Sequence, residues 1–152
     1  MEMARIEPVI LTNMCMITDG ENLLVQDRLN PNWPGITFPG GHVEPEESFV
    51  RSVIREVKEE TGLDISDVQL CGIKQFTHTN GDYRYIVLLY KTSAFSGELR
   101  SSDEGRVFWV RRSELENHTL AEGFAEMLEV FERDDLSENY HWFDGQWHEE
   151  NL

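Results

Sequence analysis

The most constraining feature of this sequence is one amphipathic helix set between two groups of strand-like segments. The spacing predicts a helix over 47–61 whose apolar stripe holds residues at i, i+3, i+4 and i+7, namely Val50, Val53, Ile54 and Val57. Gly62 follows as a helix stop. A helix with one apolar side must be covered by a sheet or by another helix, so the neighbouring segments decide the architecture.

Strand-like segments both precede and follow this helix. Upstream, PVILTNMCMI (8–17) and NLLVQDRL (22–29) flank the turn at 18–20 and predict a hairpin, and the Pro- and Gly-rich loop 30–42 contains a short strand at 36–38. Downstream, the pattern predicts strands at 68–76, 83–93 and 106–112, a second helix at 114–132 and a hairpin turn at Asp144-Gly145 within 140–150. This order predicts an α/β domain with helices packed on a mixed sheet.

The charge balance limits the partners of the chain. Its 152 residues suit one domain, and the net charge of −16 repels nucleic acid duplexes and anionic membranes. A phosphate-bearing substrate would need a metal ion to neutralise charge locally. The two cysteines, Cys15 and Cys71, lie in apolar segments, and no secretory signal or bilayer-spanning run is visible. We therefore expect a cytoplasmic protein with reduced cysteines.

Three glutamates crowd the end of the first helix. Glu56, Glu59 and Glu60 fall within roughly one third of the helix circumference, and like-charge pairs at this spacing each destabilise a helix by about 0.2–0.5 kcal/mol. A solvated acidic face is one interpretation. The other is a site for a hard divalent cation such as Mg²⁺, which prefers oxygen ligands and would offset the repulsion.

The surrounding residues favour the second interpretation. The segment GHVEPEESFVRSVIREVKEETGL (41–63) resembles the Nudix box, G-x5-E-x7-R-E-U-x-E-E-x-G-U with U aliphatic. All nine defined positions match: Gly41, Glu47, Arg55, Glu56, Val57, Glu59, Glu60, Gly62 and Leu63. The resemblance implies a single Nudix hydrolase domain over 1–152, with the α/β/α sandwich and mixed β-sheet of that family.

The resemblance also implies roles for individual residues. Glu56, Glu59, Glu60 and the Gly40 carbonyl would bind Mg²⁺, with Mn²⁺ as a possible substitute, and Glu59 would also be catalytic. Arg55, which the resemblance also places in the catalytic set, would pair with the box glutamates to orient them, and Glu47 would share in that network or in metal binding. Gly41, Glu47 and Gly62 would have structural roles in the box. Further acids follow on the loop at 103–104, and Glu104 is the candidate for a further metal ligand or general base, with a simple loop acid as the alternative.

Three residues are candidates for substrate binding. Arg28 matches a phosphate-contacting arginine of some MutT-like members, and an exposed strand arginine is the alternative. Phe38 precedes PGG, as in MutT-type enzymes, and would lie near a nucleobase or else in the core. Asn13 could meet a purine edge, or it could be satisfied by a neighbour within the sheet.

Aromatic residues elsewhere allow two interpretations. The tail residues Tyr140, Trp142, Phe143 and Trp147 could close the core, or they could cover the site or a dimer interface. Trp33 could contact substrate or pack within its loop. We expect a structural role for His42 and an ordinary surface role for Arg51.

The function implied is metal-dependent hydrolysis of a nucleoside triphosphate to the monophosphate and pyrophosphate, with an oxidised purine nucleotide such as 8-oxo-dGTP as the leading substrate. ADP-ribose, dinucleoside polyphosphates and other nucleoside diphosphate-linked compounds are alternatives. A non-catalytic nucleotide-binding Nudix domain is a further alternative, although such domains usually lack the full set of glutamates. Monomer and homodimer both remain open.

Overall fold

A computed structural model describes residues 4–152 as a mixed β-sheet with one helix on each face. The eight strands of the main sheet are β1 (Val9–Asp19), β2 (Asn22–Arg28), β3 (Gly35–Thr37), β5 (Gln69–Thr77), β6 (Arg84–Thr92), β8 (Gly105–Arg111), β9 (Glu138–Phe143) and β10 (Trp147–Asn151). Two short strands, β4 (Leu63–Ser66) and β7 (Ala94–Gly97), form a separate antiparallel pair. The helices are α1 (Phe49–Thr61), a 3₁₀ segment (Arg112–Asn117) and α2 (Phe124–Glu132).

The sheet splits where its first two strands diverge. Its order is β10-β9-β5-β6-β1-β2-β3, and β8 also pairs with β2. β1 runs parallel to β6 over nine residue pairs but pairs with β2 only beside the hairpin turn. The free edge of β1 is taken by the loop 39–43, since Asn13 N donates to Gly41 O at 2.8 Å and Cys15 N donates to Pro39 O at 2.9 Å. The glycine pair is thus held against the middle of the sheet.

Alternation along β1 sends its side chains to two separate cores. Cys15 and Ile17 pack with Val53 and Val57 of α1. The neighbouring methionines pack on the opposite face, against α2. Because one helix covers each face of the sheet, the predicted α/β/α sandwich is confirmed.

The first helix begins two residues later than predicted. Ser48 is its N-cap and accepts a hydrogen bond from Arg51 N, and Gly62 ends it at a φ of 80°. Val53 and Val57 are fully buried as predicted, but Val50 is 43% exposed. The prediction for Val50 was wrong because the first turn, which includes the exposed Phe49, extends beyond the sheet surface that the helix covers.

The second helix is much shorter than predicted. Residues 119–121 run along β3 instead, where Ile36 N donates to Thr119 O and Ala121 N donates to Ile36 O, both at 2.9 Å. Gly123 then adopts a φ of 78°, and the helix begins only at Phe124. Backbone pairing with the edge strand therefore interrupts the helical pattern. Two strands that the sequence pattern did not predict, β4 and β7, follow α1 and β6.

The C-terminal hairpin is confirmed as β9 and β10, joined by a turn at Asp144-Gly145. It extends the sheet beyond β5, to which β9 is parallel. Within residues 4–152 no helix is both long enough and apolar enough to cross a membrane.

Candidate active site

One arginine joins the loop and the helix that carry the predicted carboxylates. Arg55 donates two hydrogen bonds to Glu47, from Nε at 2.8 Å and from Nη2 at 2.9 Å. It also donates to Glu56 Oε1 at 2.9 Å and to the His42 carbonyl at 3.0 Å, and its Nη1 lies 3.3 Å from Glu59 Oε2. Bidentate arginine–carboxylate pairs fix direction as well as charge. Arg55 therefore orients the helix carboxylates relative to the loop.

The same contacts fix the ionisation of the pair. Hydrogen bonding from Arg55 lowers the pKa of Glu47 to about 2, with a smaller contribution from the backbone at Glu44. The Glu47 hydrogen bonds in turn raise the pKa of Arg55 above its ordinary value. Both groups therefore carry full charge throughout the neutral pH range.

The three helix glutamates lie in three different environments. Glu59 is largely in solvent, with 58% of its side chain exposed. Glu56 is half-buried, and burial raises the pKa of its carboxyl while Arg55 lowers it. Glu60 is only 5% exposed. The helix thus presents carboxylates at graded depths rather than a uniform acidic surface.

Glu60 is the buried member of the set. Its Oε2 accepts a hydrogen bond from Gly40 N at 3.0 Å and a longer one from Gln26 Nε2 at 3.4 Å. Burial raises the pKa of Glu60 to about 8; the charges of Glu56 and Glu104 add to this, while the Gly40 hydrogen bond and the Arg28 charge oppose it. A carboxyl held so close to other carboxylates is stabilised by any cation that enters the cluster.

The two glycines of the loop allow the carboxylates and the strand to approach the backbone. A Cβ on Gly41 would lie 2.3 Å from the Glu56 carboxyl carbon, and a Cβ on Gly40 would lie 2.1 Å from the Asn13 carbonyl oxygen. Neither position can hold a larger side chain without movement of its neighbours. Both glycines are therefore required by the close approach of Asn13 and Glu56 to the loop backbone.

Asn13 has a structural role, and the expectation that it contacts a purine edge was wrong. The residue is 3% exposed, its Nδ2 donates to Ser52 Oγ at 2.9 Å, and its Oδ1 accepts from Gly41 N at 3.1 Å. Both ends of the amide are thus used within the protein. Asn13 links α1 to the glycine loop across β1.

Phe38 is also a core residue, and its predicted nucleobase contact was wrong. It is 1% exposed and packs edge-on against Phe124 at 4.9 Å and Phe131 at 5.1 Å between ring centroids. These two residues belong to α2, so the aromatic position before PGG anchors the second helix. A buried ring of this kind offers no face to a ligand.

Arg28 and Glu104 lie near Glu60. Both carry charges that act on Glu60, and the Glu104 side chain is exposed on the loop before β8. Arg28 Nε donates to the Trp33 carbonyl at 3.2 Å, and its guanidinium carbon lies 5.1 Å from the Trp33 ring centroid. Trp33 is fixed in turn by a hydrogen bond from Nε1 to Glu122 O at 2.9 Å.

The aromatic tail packs on itself and on the neighbouring strand β5. Tyr140 stacks on Trp142, and Trp147 lies edge-on to Phe76. Phe143 and Trp147 remain 45% and 49% exposed, so closure of the core, one of the two interpretations of the tail, does not hold for these two residues. The hairpin is an extension of the sheet.

The donor set fits a hard divalent cation. Every candidate ligand offers oxygen, from the carboxylates of Glu56, Glu59 and Glu60 and from the loop backbone at Gly40. Within residues 4–152 no three acidic, histidine or cysteine side chains already converge at metal-binding distances. Glu56 and Glu59 face Arg55 instead, and Glu60 faces the Gly40 amide. The carboxylates would have to turn from these partners to hold a cation.

Some residues that build the site carried little signal in the sequence. Gln26 occupies an inward position in an apolar strand, and it reaches Glu60 although it is 1% exposed. Ser52 is fully buried in α1, where it holds Asn13, but the predicted apolar stripe does not include its position. A polar residue at a position that the pattern assigns to the core was therefore an available signal for Gln26 only.

Comparison with known proteins agrees with this geometry. A family model described as the NUDIX domain matches residues 10–131. The uncharacterized Nudix hydrolase YvcI of Bacillus subtilis is 32% identical over 123 residues, which cover 78% of this chain and 76% of that protein. An ADP-ribose pyrophosphatase of Methanocaldococcus jannaschii is 28% identical over 101 residues, 66% of this chain and 60% of that protein.

A shorter match and the solved structures complete the comparison. The NAD-capped RNA hydrolase NudC of Mycobacterium tuberculosis is 38% identical over 77 residues, 49% of this chain and only 23% of that protein. A mutator MutT protein from Bacillus halodurans superposes with a TM-score of 0.76 at 21% identity, covering 93% of this chain and 97% of that one. A MutT protein from Methanosarcina mazei gives a TM-score of 0.65 at 27% identity, covering 87% and 96%.

Proposed function

This chain belongs to the Nudix hydrolase family, and we propose that it hydrolyses a nucleoside triphosphate to the monophosphate and pyrophosphate. The observation that carries the proposal is the Arg55 network, which orients Glu56 and Glu59 beside the buried Glu60. Such an arrangement keeps several carboxylates together at one end of a helix, where they would otherwise repel. It supports binding of a cation together with a phosphate chain.

Nudix hydrolases use divalent metal ions, and we propose Mg²⁺, with Mn²⁺ as a substitute. Glu56, Glu59, Glu60 and the Gly40 carbonyl would hold it. When bound, a divalent cation neutralises phosphate charge and activates water for attack. This role is consistent with a chain whose net charge of −16 would otherwise repel a nucleotide.

The protein side chains contribute positioning and proton transfer. Water attacks a phosphorus of the substrate, the bond from that phosphorus to the bridging oxygen breaks, and a carboxylate accepts the proton of the water. Glu59 and Glu104 are the two candidates for this base, because both are exposed beside Glu60. Arg28 would bind phosphate oxygens through its guanidinium fork.

An oxidised purine nucleotide such as 8-oxo-dGTP is the leading substrate by resemblance to MutT-like enzymes. The similarity to an ADP-ribose pyrophosphatase favours a second candidate, hydrolysis of ADP-ribose or another nucleoside diphosphate-linked compound. Both reactions break a phosphorus anhydride, so one site serves either. The two kinds of substrate differ in the group that is linked to the nucleoside diphosphate.

A nucleotide panel tests the proposal. The protein is incubated with Mg²⁺ and canonical, 8-oxo and dinucleotide substrates, including ADP-ribose, and the products are identified. We expect a monophosphate and pyrophosphate from a triphosphate. Turnover confined to ADP-ribose or dinucleotides would select the second candidate. Tight binding without turnover of any member would instead identify a non-catalytic nucleotide-binding domain.

We also propose that residues 1–152 form one Nudix domain and that the protein is cytoplasmic. Both cysteines, Cys15 and Cys71, are unpaired in the described part of the chain, which is consistent with a reducing compartment. Sedimentation would decide between monomer and homodimer.

A further inference from the structure

Lys74 is a basic residue near the site to which the reaction proposed above gives no role. It lies on β5, on the sheet face covered by α2, with its Nζ 5.7 Å from the centroid of the Trp33 ring. The same ring lies 5.1 Å from the guanidinium carbon of Arg28. Since the Arg28 charge acts on Glu60, one indole ring connects Lys74 with the catalytic carboxylates.

Neither cation beside this ring is paired with a carboxylate. Among the described residues the ion-paired lysines and arginines are Arg55, Lys58, Arg84, Lys91, Arg112 and Arg133. The chain has 29 acidic and 13 basic residues, so a partner would be easy to supply. The Lys74 ammonium also donates no hydrogen bond within residues 4–152, although it can donate three. Its donors are available to a ligand.

The surroundings of Lys74 select the kind of ligand. Burial lowers the pKa of Lys74, while the charges of Glu149, Glu126 and Glu122 raise it. Three carboxylates near one ammonium group disfavour the binding of a further anionic group such as a phosphate. A neutral group that carries hydrogen-bond acceptors meets no such repulsion. The aromatic ring of Trp33 beside it suits a planar group.

A purine base combines these properties when it carries an oxygen at C6, but not when it carries an amino group there. Guanine and hypoxanthine present two adjacent acceptors, O6 and N7, which a lysine can contact together. Adenine presents an amino donor in place of O6, and that donor would face the ammonium group. The chemistry of Lys74 therefore distinguishes the two classes of purine.

We propose that Lys74 is a specificity-determining residue whose ammonium group donates hydrogen bonds to O6 and N7 of a 6-oxopurine base; in a base oxidised at C8, where N7 carries a hydrogen, the contact is to O6 alone. This inference rests on the proposed function. The phosphates lie at Arg28 and the glutamate cluster, and the base extends past Trp33 to Lys74. The enzyme then prefers guanine and hypoxanthine nucleotides to adenine nucleotides.

The wild-type protein gives the first test. Values of kcat/KM are measured for matched guanine, hypoxanthine and adenine forms, all without oxidation at C8, of whichever phosphate-anhydride linkage is hydrolysed fastest. The expected preference for both 6-oxopurines over adenine is roughly 5- to 150-fold, the range of one good two-point base contact. Hypoxanthine is included because it lacks the amino group of guanine, so its preference reports on O6 and N7 alone.

Two substitutions of Lys74 and one control complete the test. Lys74→Met keeps the apolar stem and should bring the preference close to 1, mainly by loss of activity on the 6-oxopurines. Lys74→Gln should shift it toward adenine, since glutamine pairs with adenine at N6 and N7. Lys91→Met, in the same sheet and remote from Trp33, should leave the preference unchanged.

The outcomes separate this inference from the proposed function. Absence of turnover with every nucleotide would overturn the proposed function and, with it, the role of Lys74. Turnover with equal efficiency on the three bases, or with a preference for adenine, would overturn only the role of Lys74. An unchanged preference in folded Lys74→Met would do the same. If that variant fails to fold, the wild-type ratio and Lys74→Gln still decide.

Discussion

Glu59 is the carboxylate whose removal should separate activity from stability. Its side chain is 58% exposed and meets Arg55 only at 3.3 Å, so Glu59→Gln should change the free energy of unfolding by less than about 0.5 kcal/mol. Turnover should fall at least about 100-fold, because loss of even an outer partner of a metal ligand typically costs about 10- to 100-fold. Steady-state kinetics and urea unfolding measure the two effects.

A matched glutamate controls for the loss of a helix ion pair. Glu116 accepts from Arg112 at i,i+4, as Glu59 does from Arg55, and is 63% exposed. Glu116→Gln should retain wild-type turnover. Near-normal turnover in Glu59→Gln would contradict the role proposed for the exposed carboxylate.

Glu60 should make the stability of the metal-free protein depend on pH. Its pKa is about 8 in the folded state, against an ordinary value of 4.5, so the native state binds more protons between these two values. The free energy of unfolding that it contributes is therefore fully present below pH 4.5 and is lost as the pH rises to 8. The slope is at most about 1.4 kcal/mol per pH unit.

Glu60→Gln removes this titration and should flatten the profile. The amide can still accept from Gly40 N, so the fold should be kept. Urea unfolding from pH 5 to 9 in the presence of a chelator measures the difference between the two proteins. Parallel profiles for wild type and variant would show that the buried carboxyl does not titrate in this window.

At the residue scale, the sequence predicted that the helix carboxylates lie together, but it did not predict the contacts of the residues around them. Glu56, Glu59 and Glu60 could be found because their spacing along one helix is local information. Whether Asn13 or Phe38 faces a ligand depends on partners 39 or more residues away, such as Ser52 and Phe124. Those contacts exist only after the sheet and both helices have assembled.

At the scale of elements, the loop 39–43 on the edge of β1 should respond differently at its two glycines. Gly40→Ala places a Cβ 2.1 Å from the Asn13 carbonyl oxygen, so the loop must leave the strand, and we expect a loss of about 2–3 kcal/mol in stability. Gly41→Ala instead meets the Glu56 carboxyl at 2.3 Å. A side chain can turn away, so stability should change less while turnover falls.

Thermal unfolding and kinetics on the two variants check this contrast. The wild-type protein is the reference for both variants. If Gly40→Ala were as stable as the wild-type protein, the loop would not be held by its contact with β1.

The elements that the sequence predicted well are those with a strong local period. α1 and the long strands carry such a pattern, and the structure has them within a few residues of the predicted bounds. The long second helix failed because residues 119–121 gain backbone hydrogen bonds to Ile36, a partner more than 80 positions away. The short β4–β7 pair was also not predicted, because each strand has only four residues and so few positions show no clear alternation.

At the scale of the whole molecule, Mg²⁺ should raise the melting temperature by binding only the native state. At a concentration 100 times its Kd, a ligand adds about 2.7 kcal/mol to the free energy of unfolding. A chain with a net charge of −16 is also stabilised by general screening. Differential scanning calorimetry in MgCl₂ and in NaCl of equal ionic strength separates the two contributions.

The part of the stabilisation that is specific to Mg²⁺ should depend on the glutamates of the Nudix box. Glu56→Gln should lose most of the difference between the two salts, whereas Glu116→Gln should keep it. Equal effects of both salts on the wild-type protein would indicate screening alone and would contradict a metal site in the glutamate cluster.

The place of Trp33 between two cations has an optical consequence. Indole emission responds to nearby charge and to stacked rings, and this indole lies within 5.1 Å of one cation and 5.7 Å of another. Any nucleotide that draws Arg28 or Lys74 toward itself changes the charge around the ring. Trp33 is therefore an intrinsic fluorophore beside the proposed substrate-binding residues, and nucleotide binding there should change its emission without a label or a coupled assay.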